Sequence, residues 1–158
     1  MDKYNRDSIS FHIVLFQPEI PANTGNIGRL CVGANAVLHI IKPMKFFLND
    51  KYLKRAGLDY WDKVKLHVHD DWDSFLEKYP NSNLYLVETS GESIYYDENY
   101  KPADIFVFGS ETCGLPERVL NSGKVIKIPM SDEIRSINMC NSVAIVLYEG
   151  LRQLAQRN

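Results

Sequence analysis

Cysteine is scarce in this chain: Cys31, Cys113 and Cys140 are odd in number and far apart. That arithmetic fits neither a disulfide framework nor the short ligand spacings of a zinc site, so reduced thiols are expected. No apolar stretch approaches the roughly 18 residues that suggest a membrane span, and no membrane partner is expected. The opening MDKYNRDSIS lacks the basic start and apolar middle of a signal peptide, and also the Arg-rich, acid-poor bias of a transit peptide. Cytoplasmic residence is the expectation. Three fingerprints are missing too: G-x-G-x-x-G, G-x-x-x-x-G-K-[ST] and G-x-S-x-G stand nowhere. Dinucleotide, P-loop and serine-hydrolase readings thereby lose their main support. His12, His39, His67 and His69 all fall in strand-like runs of the first half. His67 and His69 could share one side of a strand, but no matching Cys, His or carboxylate cluster accompanies them. They read as surface residues, and no metal is expected.

What is present is the make-up of one soluble domain, 158 residues with 45% hydrophobic and 24% charged side chains. The polar residues 1–10 read as a flexible N-terminal extension of that single domain. The net charge of −2 gives no overall basic excess of the kind that announces nucleic-acid binding. Its distribution is uneven. Lys42 to His69 holds seven Lys and Arg against three Asp, Asp70 to Glu117 two Lys against eleven acids, and Arg118 onward six basic residues against three acids. Two basic zones around an acidic one are either ordinary solvated surface or a cationic face for phosphates.

Strand-like runs at 11–16, 37–41, 65–69, 84–89, 104–109 and 124–128 alternate with helix-like runs. That alternation predicts an α/β fold with a mostly parallel sheet and helices on both faces. Between the first two strands, PANTGN reads as a turn with Asn23, Thr24 and Asn26 as caps, opening a helix over IGRLCVGANA. On that reading Arg29 falls in the first turn, where the helix dipole disfavours a cation unless an anion binds nearby. Further helices are expected from near Asn49 to Gly57, over DDWDSFLEKY, over ERVLNS with Pro116 as first helical residue, and from about Asn141 to Gln156. The last is apolar nearly all round, with Ile145 off the main stripe. Such a helix is either wrapped by its own chain or packed on a partner subunit, and a homodimer is favoured.

Three polar segments follow strands: PANTGNIGR (21–29), FGSETCGLP (108–116) and IPMSDEIRSINMCNS (128–142). In a parallel sheet such loops lie outside the carboxyl ends of the strands, where ligands bind. Two glycines bracketing Glu111 suggest a loop that something approaches closely, although a plain turn before a Pro-started helix also accounts for them.

In this order the three segments resemble the SpoU branch of the SPOUT class of RNA methyltransferases. That branch carries N-x-G-N-x-x-R, then G-x-E-x-x-G-L-P, then I-P-M…S-x-N-x-S-N-x-V-A…Y-E. Here these read Asn23-Thr24-Gly25-Asn26 with Arg29, Gly109-Ser110-Glu111 with Gly114-Leu115-Pro116, and Ile128-Pro129-Met130 with Ser136, Asn138, Asn141, Ser142, Tyr148 and Glu149. KYLKRAGLDYWD is similar to a segment of the smallest members, which methylate the wobble position of tRNA. Cys113 and Cys140 depart from the family pattern, where Arg and Ser are commoner.

The resemblance implies a parallel sheet with a C-terminal trefoil knot, a homodimer with a shared active site, and S-adenosyl-L-methionine as cofactor, leaving as S-adenosyl-L-homocysteine. It implies methyl transfer to the ribose 2′-hydroxyl of nucleotide 34, cytidine or modified uridine, in the anticodon loop of tRNA. By position, Val87, Thr89, Gly109, Glu111, Ile128, Ser136 and Asn138 would serve the cofactor pocket, with Glu111 holding neighbouring loops in place. Arg29 and Asn23, followed by Tyr148 and Glu149, would serve catalysis. A guanidinium stays protonated in proteins, so Arg29 suits positioning or oxyanion stabilisation and the base is left unnamed. Tyr52, Lys54, Arg55, Tyr60 and Trp61 offer aromatics and cations for an anticodon loop, with Trp61 also a core candidate. The alternatives are a ribosomal RNA 2′-O-methyltransferase and a non-catalytic RNA-binding protein of the same fold.

Overall fold

The computed structural model describes residues 8–157. The chain alternates β1 (His12–Phe16), α1 (Pro21–Ala34), β2 (Val37–Ile41), α2 (Lys51–Gly57), β3 (Leu66–His69), α3 (Trp72–Lys78), β4 (Leu84–Val87), β5 (Ser93–Ile94), β6 (Ile105–Phe108), α4 (Glu117–Leu120), β7 (Lys124–Lys127) and α5 (Met139–Arg157). The strands form one sheet in the order β3-β2-β1-β6-β4-β7-β5, and all its pairings are parallel. Alternate residues of β1 feed two cores. Ile13 and Leu15 pack with Ile27 of α1 and Val143, Val146 and Leu147 of α5, whereas Val14 and Phe16 pack with Trp72 and Phe75 of α3 and Val119 of α4. Both faces of the sheet are therefore covered, which is why its central strands read as continuous apolar runs.

Several boundaries depart from expectation. PANTGN is not a turn ahead of a helix but the opening of α1 itself, with Pro21 at its start and no side-chain cap from Ile20. Asn23, Thr24 and Asn26 therefore cap nothing at that end. Gly25 lies within α1 where α2 crosses, and a side chain does not fit: a Cβ there would stand 2.2 Å from the Leu53 carbonyl oxygen. Arg29 lies well beyond the first turn, so the dipole argument for a bound anion does not apply to it. Pro116 sits just before α4, in extended conformation, rather than as its first residue. The short strand β5 went unread, and α5 begins at Met139, two residues ahead of expectation.

Ile145 packs against the core beside α5's main stripe, so wrapping by its own chain accounts for part of that helix's apolar girth. Of the expected N-terminal extension, residues 1–10, the first seven lie outside the described residues, but Ser10 is anchored. It is 4% exposed, donates its hydroxyl to the Ala34 carbonyl and its N–H to the Asn35 carbonyl.

His69 corrects the surface reading. It is buried, whereas His67 is exposed. The parallel register sets His39 opposite His67, and four histidines gather on the β1–β2–β3 edge under Phe75 and Tyr79. Ring nitrogens link His12 to His39 at 2.8 Å and His39 to His69 at 3.0 Å. His39 uses both nitrogens on other imidazoles, so it has none left for a metal. No group of three or more His, Cys, Asp or Glu that could hold an ion exists among the described residues. No described helix is long and apolar enough to cross a membrane.

Candidate active site

The carboxyl ends of β1, β4, β6 and β7 open into one cleft of ≈ 390 Å³, a volume in the range of small-ligand pockets. Val87, Thr89, Gly109, Glu111, Ile128, Ser136 and Asn138 all line it, and Asn23 does too. Segments more than a hundred residues apart along the chain thus meet where the parallel topology places a ligand.

Hydrogen bonds on Asn23 and Glu111 hold the loops together. The Glu111 carboxylate accepts from the Glu19 N–H at 2.7 Å, the Ile20 N–H at 3.0 Å and Asn23 Nδ2 at 3.3 Å. It thereby satisfies N–H groups just ahead of α1 that no local side chain reaches, and its negative charge sits favourably at that helix's start. Asn23 Oδ1 in turn accepts from Asn138 Nδ2 at 3.5 Å and from the Cys140 thiol at 3.3 Å. Asn138 Oδ1 accepts from the Cys140 N–H at 2.8 Å, capping α5. Asn23, 8% exposed, is the joint between the first, second and third polar segments. Burial, and then the Glu111 carboxylate, push the Cys140 thiol up to about 11, so it is a neutral donor, as a serine hydroxyl there would be.

The two glycines answer first to the loop's own closure. Gly114 has φ +65°, its N–H donates to the Ser110 carbonyl at 3.1 Å, and a Cβ on Gly109 would stand 2.2 Å from the Gly114 carbonyl carbon. Glu88, missed in the sequence, braces this loop from just beyond β4. Its carboxylate accepts from the Leu115 N–H at 2.9 Å and the Thr89 N–H at 3.0 Å. Glu19, also missed, accepts from Thr112 and from Lys45 at 3.1 Å, and those bonds hold its carboxyl down to about 2. Both residues follow strands, but only the folded loops show what their carboxylates bind.

Arg29, Tyr148 and Glu149 do not line this cleft. Arg29 is six residues beyond Asn23, a rise of about 9 Å and a turn of about 120° around the helix. It is exposed, with its guanidinium 5.4 Å from the Tyr60 ring centre. Tyr148 is 48% exposed, and its hydroxyl lies 3.8 Å from where a Cβ on Gly33 of α1 would stand. Glu149 makes a two-bond pair with Arg152, at 2.8 and 2.9 Å, and accepts from Gln153, whose amide oxygen takes the buried Tyr100 N–H. Glu149 thus holds Gln153, whose own bonds to Tyr100 and to the Glu98 carbonyl bind α5 to the segment before β6. Trp61 is half-buried against the core, as its second reading allowed, with its ring 2.6 Å from where a Cβ on Gly28 would stand.

Comparison with known proteins places this architecture. The model of the SpoU rRNA methylase family matches residues 10–148. The chain belongs to the SpoU rRNA methylase family. Among its relatives, a Listeria innocua protein is 50% identical over 147 residues, covering 90% of this chain and 87% of its own. The tRNA (cytidine(34)-2′-O)-methyltransferase of Methylovorus glucosotrophus is 42% identical over 146 residues, covering 90% of this chain and 95% of its own. A solved structure described as "Structural insights into the 2-OH methylation of C/U34 on tRNA" superposes with a TM-score of 0.91 at 41% identity, over 94% of this chain and 99% of that one. The resemblance carried by the three polar segments is thus borne out at the level of family and fold.

Proposed function

We propose that this chain transfers a methyl group to the ribose 2′-hydroxyl of nucleotide 34, cytidine or modified uridine, in the anticodon loop of a cytoplasmic tRNA. The observation that carries the reading is the convergence of three remote polar segments on one cleft, in a chain similar over most of its length to wobble-position methyltransferases.

The cleft suits a nucleoside cofactor. Val87, Phe108, Ile128 and Ile137 give apolar walls for a purine, Thr89, Ser136 and backbone groups give polar partners, and Glu88 and Glu111 bring negative charge for a sulfonium. S-adenosyl-L-methionine would supply an electrophilic methyl group there and leave as S-adenosyl-L-homocysteine. Asn23, Glu111 and Asn138 would act by holding the loops closed around it. Arg29 would position the RNA or stabilise charge on the ribose oxygen.

Arg29 faces away from its own cleft, so the reading assigns it to a site shared across a homodimer. Its support is the exposed apolar surface near that side of the fold, where Tyr148 and Leu58 are 48% and 52% exposed. A C-terminal trefoil knot completes the proposed architecture.

The test is radiolabelled methyl transfer to unmodified tRNA, followed by mapping of the modified nucleoside. The reading expects a single 2′-O-methyl group at position 34. No transfer would favour a non-catalytic RNA-binding protein, and transfer only to ribosomal RNA would move the substrate.

A further inference from the structure

Phe47 is the most solvent-exposed large apolar side chain among those described, at 81%. Its neighbour Phe46 is buried at 8% and anchors the β2–α2 loop, so the two adjacent rings have opposite roles. The loop is also ordered on both sides of Phe47. The Phe47 carbonyl accepts from the Asp50 N–H at 2.9 Å, and Asp50 caps α2 by accepting from the Tyr52 N–H at 2.7 Å. Two residues earlier, the Lys45 ammonium bonds Glu19 at 3.1 Å, and Glu19 accepts from Thr112, which lines the cleft. Phe47 is therefore presented on a pre-formed loop tied to the mouth of the site.

We propose that Phe47 stacks on an unpaired nucleobase of the RNA substrate next to the nucleotide whose ribose enters the cleft, a proposal that rests on the RNA-methyltransferase reading. Charge selects this occupant. Between residues 42 and 55 stand four Lys and one Arg against the single Asp50, so the surroundings suit phosphates while two copies of the loop would repel. A duplex hides its base faces, whereas an unpaired loop offers them to aromatic side chains. Tyr52, 53% exposed with the Lys51 ammonium 5.1 Å from its ring centre, extends the same platform.

The experiment uses an unmodified anticodon stem–loop RNA and the full chain. Phe47→Ala is expected to raise Kd and KM for that RNA by about 5-fold to 150-fold, the range for losing one base–aromatic stack. Affinity for S-adenosyl-L-homocysteine, melting temperature and oligomeric state should be unchanged. Phe47→Trp should restore RNA binding and Phe47→Leu should not, since stacking needs a π-face. Abasic substitutions walked along the loop should weaken binding to the wild type at one position where Phe47→Ala is indifferent. The proposal is overturned if Phe47→Ala binds the stem–loop as the wild type does, if Phe47→Leu restores binding, or if Phe47→Ala instead shifts a monomer–dimer equilibrium. Failure of the wild type to transfer methyl to RNA would refute the functional reading, and the binding series would still decide the stacking proposal.

Discussion

His39 should make this fold lose stability between pH 7 and pH 5, before any carboxylate contributes appreciably. Its ring is fully buried, and burial first, then the neighbouring His12, His69 and His67 and Lys78, lower its pKa from 6.5 to about 2. Because the folded value lies below the unfolded one, the unfolded chain takes up a proton that the native state refuses. The contribution of His39 is therefore constant above about pH 7 and falls as pH drops through the unfolded pKa toward the folded one. Integrating that linkage from pH 7 to pH 5 gives about 2 kcal/mol for this one imidazole, against a total stability of about 5–15 kcal/mol for an ordinary domain. His12 and His69 are also lowered, chiefly by burial, and act with the same sign. Glu19, Glu98, Glu149 and Asp71 are lowered too, but they begin to matter only where free carboxylates protonate. Urea unfolding at fixed protein concentration should show the wild type losing about 2 kcal/mol more than His39→Gln across this window. The His39 ring resonances should not titrate there. Parallel stability curves for the two proteins, or an imidazole that titrates near pH 6, would refute the reasoning.

Gly109→Ala places a methyl group 2.2 Å from the Gly114 backbone, so the loop must open. Affinity for S-adenosyl-L-homocysteine, read by calorimetry, should fall about 5-fold to 150-fold if the displacement costs the usual ~1–3 kcal/mol; unchanged affinity with unchanged circular dichroism would contradict the loop's part in the pocket. Arg29→Ala should abolish methyl transfer while sparing cofactor affinity. Mixed with Gly109→Ala at a cofactor concentration too low to fill the Gly109→Ala cleft, it should recover about a quarter of wild-type turnover, since half the dimers are mixed and each has one intact site; no recovery would place Arg29 outside the partner's cleft.

The sheet was legible because its central strands β1, β2 and β6 are buried on both faces and so read as apolar runs, and because turn-like residues separate the runs. The two-residue β5 carries no such period. Helix α1 was misread at its start for a physical reason. Proline, asparagine, threonine and glycine favour turns when only neighbours count, but here the N–H groups ahead of the helix are taken by Glu111, 91 and 92 residues away, and Gly25 answers to the Leu53 carbonyl. Neither partner is local. The histidine cluster escaped for the same reason, since it exists only through the register that sets β2 between β1 and β3. The cleft was legible by family pattern, yet that pattern groups Asn23 and Arg29 as one motif although they occupy different faces of one helix. Asn23 ties the loops of its own cleft, while Arg29 turns outward beside Tyr60. A helix that serves two surfaces with one short motif needs something on its second surface, and the proposed homodimer puts the cleft of another copy there.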